Sequence, residues 1–202
     1  MRYSAPGRFW AFSIAATVLI ASLFQVTVTG SRAEPTEQPS TLTPGPTPGG
    51  RGEKEKLSPT EKAKALGIKL GKVEPKYLNH CVKTGKLLFT SGFGSKTKGR
   101  LGKDLDIEGG RKAARECAIE ILQAVYDRHG TLDNLRVVKV LGCVNSTPDF
   151  YDQPKVMNGC SDLFHEIYGA KTDGWHARSA LGFASLPNGC AVEIEAIFEI
   201  KD

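Results

Sequence analysis

Apolar and polar positions alternate with two different periods along the C-terminal part of the chain, and each period predicts one kind of element. The segment KYLNHCVKTGKLLFTSGFG alternates every second residue, which predicts a strand to about Val82 and another over residues 86–91. Lys83, Thr84 and Gly85 lie between them as a turn. These residues therefore predict a first β-hairpin.

Two later segments repeat their apolar residues at the helical period. Residues 107–128 form the first predicted helix, ended by Gly130, and residues 153–168 form the second, ended by Gly169. Their apolar stripes are Ala114, Cys117, Ala118, Ile121 and Val125 in the first, and Val156, Cys160, Leu163, Phe164 and Ile167 in the second. The segment LRVVKVLGCV between them is rich in Val and Leu, which predicts a strand buried on both faces.

Residues 176–200, HARSALGFASLPNGCAVEIEAIFEI, predict two strands around a Pro-Asn-Gly turn, and hence a second hairpin. The apolar alternates are Leu181 and Phe183 in its first strand, and Val192, Ile194, Ala196 and Phe198 in its second. If these side chains are buried together, Arg178 shares the opposite face with Glu193 and Glu195. The small residues of that face would let another body approach closely; they are Ala180, Gly182 and Ala184.

The resulting order of elements is β-β-α-β-α-β-β. Such an order predicts an α+β fold in which a mixed sheet carries both helices on one face. The opposite face of the sheet then needs cover or solvent.

The N-terminal segment predicts export. In residues 1–33 two arginines precede the uncharged run AFSIAATVLIASLFQVTV, and Ser31 and Ala33 stand where a signal peptidase reads small residues. The alternative is an uncleaved membrane anchor through residues 11–29, since the run approaches the roughly 18 to 20 residues of a spanning helix. In both cases the domain works outside the cytoplasm, in a periplasm or an extracellular space, and only the anchor would place it on a membrane.

A linker separates this segment from the domain. Residues 34–57 are rich in Pro, Thr and Gly and nearly lack large apolar side chains, which is typical of disordered linkers. Residues 58–202 remain as a single domain of ordinary size.

The net charge of +5 could indicate a polyanionic partner, but its distribution argues against one. Much of the excess lies between Lys54 and Lys103 without the interleaved aromatic residues on which single-stranded nucleic acid stacks. We therefore expect a solvated basic face and no nucleic-acid partner.

The cysteines give no framework for a disulfide-rich or zinc-binding protein. There are five of them, Cys81, Cys117, Cys143, Cys160 and Cys190, so at least one stays unpaired within the chain. Cys117 and Cys160 fall on the apolar helix faces, where a small buried hydrophobe is the favoured interpretation. Their spacings cannot build a zinc site with the four histidines, and we expect no metal and no cofactor.

Arg178, Glu193 and Glu195 have two interpretations. Charged residues on a surface hairpin usually form a solvated face. Arg178, however, follows Gly174, Trp175 and His176, which could shield a guanidinium suited to bidentate capture of a carboxylate. Glu193 lies roughly 13 Å along the hairpin at ordinary strand rise, so a bent strand or a neighbouring subunit would have to bring the two together.

These residues also carry a resemblance to a known family. The segment HARSALGFASLPNGCAVEIEAIFEI, with GKLLFTSGFG and VNSTPDFYDQPKVMNGCSDLFHEIYGA, resembles the YjgF/RidA family, also called endoribonuclease L-PSP, in its branch with long VNSxPDF and QPKV segments. The match runs from about Leu66 to Lys201. It implies a chorismate-mutase-like α+β fold, a homotrimer whose sheets line an inner barrel, and three ligand clefts between subunits.

The resemblance further implies hydrolytic deamination of reactive 2-enamine and 2-imino acids, such as 2-aminoacrylate, to 2-keto acids and ammonia. By position, Arg178 matches the arginine that binds the substrate carboxylate, and Glu193 matches the acid that positions the attacking water. Ser91 and Asn158 match residues that line the cleft. The expected partners are a small carboxylate or imino-acid ligand and two further copies of the chain.

The chain departs from the family pattern at two places. Ala180 stands where a cysteine is common, and the cleft tyrosine of the N-terminal segment has only Tyr77 as a candidate. A trimer that binds small carboxylates without catalysis is therefore the main alternative, since a fold does not fix its function. Cleavage of RNA is less favoured, because His176 is the only histidine near the proposed cleft.

Overall fold

A computed structural model of the protein describes residues 56–74 and 77–202. The predictions for the export signal, and for the linker up to residue 55, lie outside the described residues. Within these two ranges no helix combines the length and the apolar character that crossing a membrane requires.

The described residues form an α+β fold of three α-helices and six strands around one mixed sheet, as predicted. In chain order these are α1 (Pro59–Ala65), β1 (Cys81–Thr84), β2 (Leu87–Thr90), β3 (Phe93–Gly94), α2 (Ile107–His129), β4 (Leu135–Asn145), α3 (Gln153–Tyr168), β5 (Ala177–Phe183) and β6 (Val192–Ile200). The predicted order is confirmed, with α1 and the short β3 added to it.

Capping residues and glycines mark the ends of the two long helices. Asp106 caps α2 by accepting a hydrogen bond from the Gly109 N–H at 2.7 Å. Gly130 ends it in the left-handed conformation, at φ 87°. The observed bounds of α3 are those predicted from its apolar stripe, and Gly169 follows it at φ 96°.

The sheet has the order β1-β2-β6-β4-β5, with β3 also paired to β6. The strand β4 therefore lies between β5 and β6, antiparallel to β6 and parallel to β5. The predicted second hairpin is wrong for this reason. Helix α3 returns the chain to the same end of the sheet, so β5 pairs in parallel with β4 in a βαβ unit. The turn at Pro187–Gly189 then joins two strands that are not neighbours.

This topology also reverses the predicted faces of β5. Val140 pairs with both Arg178 and Ala196, so Arg178 lies on the helix-covered face, whereas Glu195 pairs with Leu141 on the open face. Ala180 and Gly182 follow Arg178 at every second position of β5, so they too lie on the helix-covered side. The predicted burial of Leu181 and Phe183 is wrong too, because they lie on the open face and remain 49% and 40% exposed.

Both long helices pack on one face of the sheet and form a single core with it, as predicted. The largest fully buried side chains include Phe164, Phe198, Ile121, Leu122 and Ile194. Cys117 and Cys160 are buried in this core, as expected, and all five cysteines are free thiols in the structure. Apart from Asn145 at its end, the strand β4 is buried only where it faces the helices, so the prediction of burial on both faces is wrong for the single chain.

Candidate functional site

The four predicted site residues fall into two groups within the described chain. Arg178 and Asn158 are in contact, since the Arg178 Nη1 donates a hydrogen bond to the Asn158 Oδ1 at 3.0 Å. Glu193 projects from the other face of the sheet, and Ser91 lies near it rather than near Arg178. The structure therefore places the four residues in two pairs and brings only Arg178 and Asn158 into direct contact.

Arg178 is held by one face of α3. Its Nη1 donates to the Asn158 Oδ1 and to the Ser161 Oγ at 2.9 Å, and its Nη2 donates to the Pro154 carbonyl oxygen at 3.2 Å. These three partners follow one another at helical positions i, i+4 and i+7 of α3, which places them on one stripe. The contacts between β5 and α3 thus fix the position of the guanidinium.

This arrangement leaves one edge of the guanidinium for a ligand. A guanidinium carries five N–H donors, and three of those of Arg178 are used by α3. The remaining two are the Nε–H and one Nη2–H, and they share one edge of the planar group when the Pro154 carbonyl oxygen takes the Nη2 hydrogen that faces Nη1. Two parallel donors of this kind match the two oxygens of a carboxylate.

A short hydrogen-bond chain runs from Arg178 into the fold. The His176 Nδ1 lies 2.6 Å from the Gly174 carbonyl oxygen, which can only accept, so we assign the proton to Nδ1. Its Nε2 then accepts from the Ser161 Oγ at 3.0 Å, and that oxygen in turn accepts from the Arg178 Nη1. Burial lowers the pKa of His176, and the Arg178 charge lowers it further, which favours this neutral ring.

A cavity of about 460 Å³ opens beside this cluster. It is lined by Arg178, Asn158, Ser161, Asp162, His165, Trp175 and His176. Trp175 stacks on His165 with ring centroids 6.2 Å apart and an angle of 16° between the planes, yet it is 67% exposed. We call these cavity-lining residues the arginine half-site.

Glu193 lies in a separate cleft of about 260 Å³, together with Gly92, Ser95, Lys98 and Cys190. A Cβ on Gly92 would overlap the Glu193 carboxylate, so a larger residue at this position would force the carboxylate to shift. Burial raises the pKa of the Cys190 thiol, and the Glu193 charge raises it further. Cys190 is thus an inert neighbour rather than a nucleophile.

Ser91 lines an adjoining cavity of about 440 Å³ and donates its hydroxyl to the Asn79 carbonyl oxygen at 2.7 Å. Gly92 lines both this cavity and the Glu193 cleft, so the two are neighbours. We call Ser91, Gly92 and Glu193 the glutamate half-site. Tyr77, the candidate for the cleft tyrosine, is 98% exposed and lines neither of these two cavities.

Sequence reasoning missed Ser161 and the role of His176. Ser161 follows Cys160 on the amphipathic helix α3, and it lies three positions after Asn158. That i, i+3 pair was a usable signal. The link to His176 could not be found in the same way, because it is a contact between two elements.

Comparison with known proteins adds the family context. The model of the family described as Endoribonuclease L-PSP matches residues 72–200. Protein TCP17 of Trypanosoma cruzi is 39% identical over 146 residues, which are 68% of this chain and 91% of that protein. Helix α1 precedes the matched region.

Two solved structures are similar over most of the chain. The Agrobacterium tumefaciens protein Atu1372, of unknown function, has a TM-score of 0.62 at 36% identity and covers 71% of this chain and 92% of its own. A Shewanella oneidensis protein has a TM-score of 0.64 at 23% identity, covering 71% of this chain and 100% of its own, which supports the fold alone.

Proposed function

The chain belongs to the endoribonuclease L-PSP family, also called YjgF/RidA, and on this premise we propose that it hydrolyses reactive 2-enamine and 2-imino acids, the former through their imine tautomers, in a cleft between two subunits of a homotrimer. The observation that carries the proposal is the Arg178 guanidinium, fixed by three hydrogen bonds to α3 with one donor edge left for a carboxylate. A ligand whose carboxylate bridges that edge has its imine carbon held in one orientation.

Glu193 would act as the general base and then as the general acid of the reaction. Water adds to the carbon of the protonated imine, and Glu193 accepts the proton that this water loses. Glu193 then passes this proton to the amino group, the carbon–nitrogen bond breaks, and ammonia leaves as the hydroxyl group gives its proton to Glu193 and becomes the keto group. A 2-keto acid and ammonia account for every atom of the imino acid and the water.

A neighbouring subunit is needed because Arg178 and Glu193 lie on opposite faces of one sheet. The open face also exposes large apolar side chains, namely Phe89, Val138, Leu181 and Phe183. Burying such a surface against identical copies is a common reason for a closed oligomer. In a trimer the arginine half-site of one subunit would meet the glutamate half-site of the next.

The test generates 2-aminoacrylate in place and times ammonia release with and without the protein. We expect acceleration by the wild type, loss of both binding and turnover in Arg178→Ala, and poor rescue by Arg178→Lys, because an ammonium lacks the planar fork. Glu193→Gln should keep carboxylate binding and lose turnover. A monomer at micromolar concentration in a mass measurement would contradict the intersubunit site.

Binding of small carboxylates without turnover is a second candidate. The arginine half-site is complete within one protomer, whereas the acid lies elsewhere, and Ala180 stands where relatives carry a cysteine. Saturable binding of 2-oxobutyrate that Arg178→Ala abolishes, with no acceleration of ammonia release, would favour this second function over the first.

A further inference from the structure

Beside Arg178, the arginine half-site presents an aromatic surface that a three-carbon acid would not use. We propose that this half-site selects imino and keto acids that carry a planar aromatic side chain, whose ring lies against Trp175. This inference rests on the proposed function in one respect, the capture of the ligand carboxylate by Arg178. It goes further in naming the side chain of the ligand.

Trp175 is ordered but not buried. Its backbone N–H donates to the Thr172 carbonyl oxygen at 2.9 Å, and its ring stacks on His165. Two thirds of this large apolar residue nevertheless remain in water. Fixed, exposed aromatic rings of this kind present contact area at low entropic cost, which is the property of a recognition surface.

The surface continues from Trp175 towards Arg178. The rings of His165 and His176 lie 5.7 Å apart, and His176 contacts the Ser161 that holds Arg178. His165 lies one helical turn beyond Ser161, a rise of about 6 Å. In an arylpropionate-type acid the ring centre lies about 5 Å from the carboxylate carbon at ordinary bond lengths. A carboxylate on Arg178 therefore places such a ring at the level of the aromatic surface.

The size of the cavity agrees with this side chain. Its volume of about 460 Å³ is many times the roughly 10 to 15 Å³ that a single water needs by the same measure. A three-carbon acid would leave most of this volume to solvent, and an aryl ring would displace much of it. Cavities that hold small molecules commonly fall in this size range.

The charges around the cavity favour a neutral side chain. Asp162 is the acidic residue of the lining, and its carboxylate pairs with the Arg111 guanidinium at 2.7 Å. The pKa of His176 is lowered, so its ring is neutral near pH 7. Arg178 is taken by the carboxylate and Asp162 by Arg111, so a charged side chain gains no further ion pair here, whereas an aromatic ring finds a stacking partner.

The sequence offers a direct optical test. Trp175 and Trp10 are its two tryptophans, so the full-length Trp10→Phe protein reports on Trp175 alone. We would titrate it with 3-phenylpropionate, with 3-cyclohexylpropionate as the non-planar control, and with 2-oxobutyrate. Stacking predicts a change in Trp175 emission with 3-phenylpropionate and an affinity about 2- to 10-fold higher than for the cyclohexyl acid.

Calorimetry on two variants supplies the controls. Trp175→Leu should abolish the preference for the phenyl acid over the cyclohexyl acid, and 2-oxobutyrate, which carries no ring, measures what the same variant does to carboxylate capture by Arg178. Tyr151→Leu removes another exposed aromatic residue, one that lines a different cavity, and should keep the preference. Equal affinities for the phenyl and cyclohexyl acids, with 2-oxobutyrate still bound through Arg178, would overturn the inference and leave the proposed function standing. Failure of all three acids to bind would refute both.

Discussion

Replacement of Ser161 by alanine tests whether the hydrogen-bond chain behind Arg178 positions the guanidinium. Ser161 is 6% exposed, accepts from the Arg178 Nη1 at 2.9 Å and donates to the His176 Nε2 at 3.0 Å. A hydrogen bond to a charged group contributes about 1.5 to 3 kcal/mol and a neutral one about 0.5 to 1.5 kcal/mol. Water can replace part of both, because Arg178 and His176 are only half-buried.

We therefore expect Ser161→Ala to lower the free energy of unfolding by about 1 to 3 kcal/mol, which shifts the melting temperature by about 2 to 10 °C in a domain of this size. The carboxylate affinity should fall as well. A rotamer-rich side chain that must be ordered on binding costs about 0.5 to 1.5 kcal/mol, which is about 2- to 10-fold in Kd.

Thermal unfolding and titration with 2-oxobutyrate measure the two effects. Ser179→Ala is the matched control, because Ser179 also accepts from a cationic side chain, the Lys139 Nζ at 2.8 Å, but on the opposite face of β5. This variant should keep the wild-type Kd. An unchanged Kd in Ser161→Ala would refute the positioning role of the hydroxyl.

Three further predictions concern stability and processing. The folded-state pKa of His176 lies below its unfolded value of 6.5, so protonation favours the unfolded chain and the free energy of unfolding should fall as the pH drops below about 6.5. Urea midpoints measured at two pH values should show a smaller fall in His176→Gln than in the wild type, and equal falls would contradict this prediction. Gly159→Ala would press a Cβ into the backbone of α2 at Arg111 and should lower the free energy of unfolding by about 1 to 3 kcal/mol. Gly71→Ala is the control and should be near-neutral, because its Cβ meets open space. Equal urea midpoints for the two variants would contradict the close contact between α2 and α3. Export should remove residues 1–33, so the mature protein should begin at Glu34 by mass spectrometry, whereas an intact N-terminus in a membrane fraction would favour the anchor.

The sequence predicts the elements of this fold better than their arrangement. The bounds of α3 follow from its own apolar stripe and the glycine after it, which are local signals. The position of β5 is not local, because alternation fits a strand equally well beside β6 or beyond β4. Once β5 is placed next to β4, its register moves Arg178 to the helix side and Leu181 to the open side.

The same distinction between local signals and tertiary arrangement applies to the candidate site. The pairing of Arg178 with Asn158 was within reach, since the family resemblance assigned both residues to one cleft. The chain through Ser161 to His176 joins α3 to the residue just before β5, and no periodicity in the sequence encodes that contact. The separation of Glu193 from Arg178 likewise depends on the topology of the sheet.

Mixed oligomers of two inactive variants test most directly whether the two half-sites meet between subunits. Arg178→Ala and Glu193→Gln chains would be co-expressed, and ammonia release from 2-aminoacrylate would be measured for the mixture and for each variant alone. Random trimers of equal amounts contain about a quarter of intact sites if each site takes its arginine from one subunit and its glutamate from the next. We predict recovery of about a quarter of the wild-type activity. A mixture as inactive as the separate variants, beside an active wild type, would contradict a site shared between subunits.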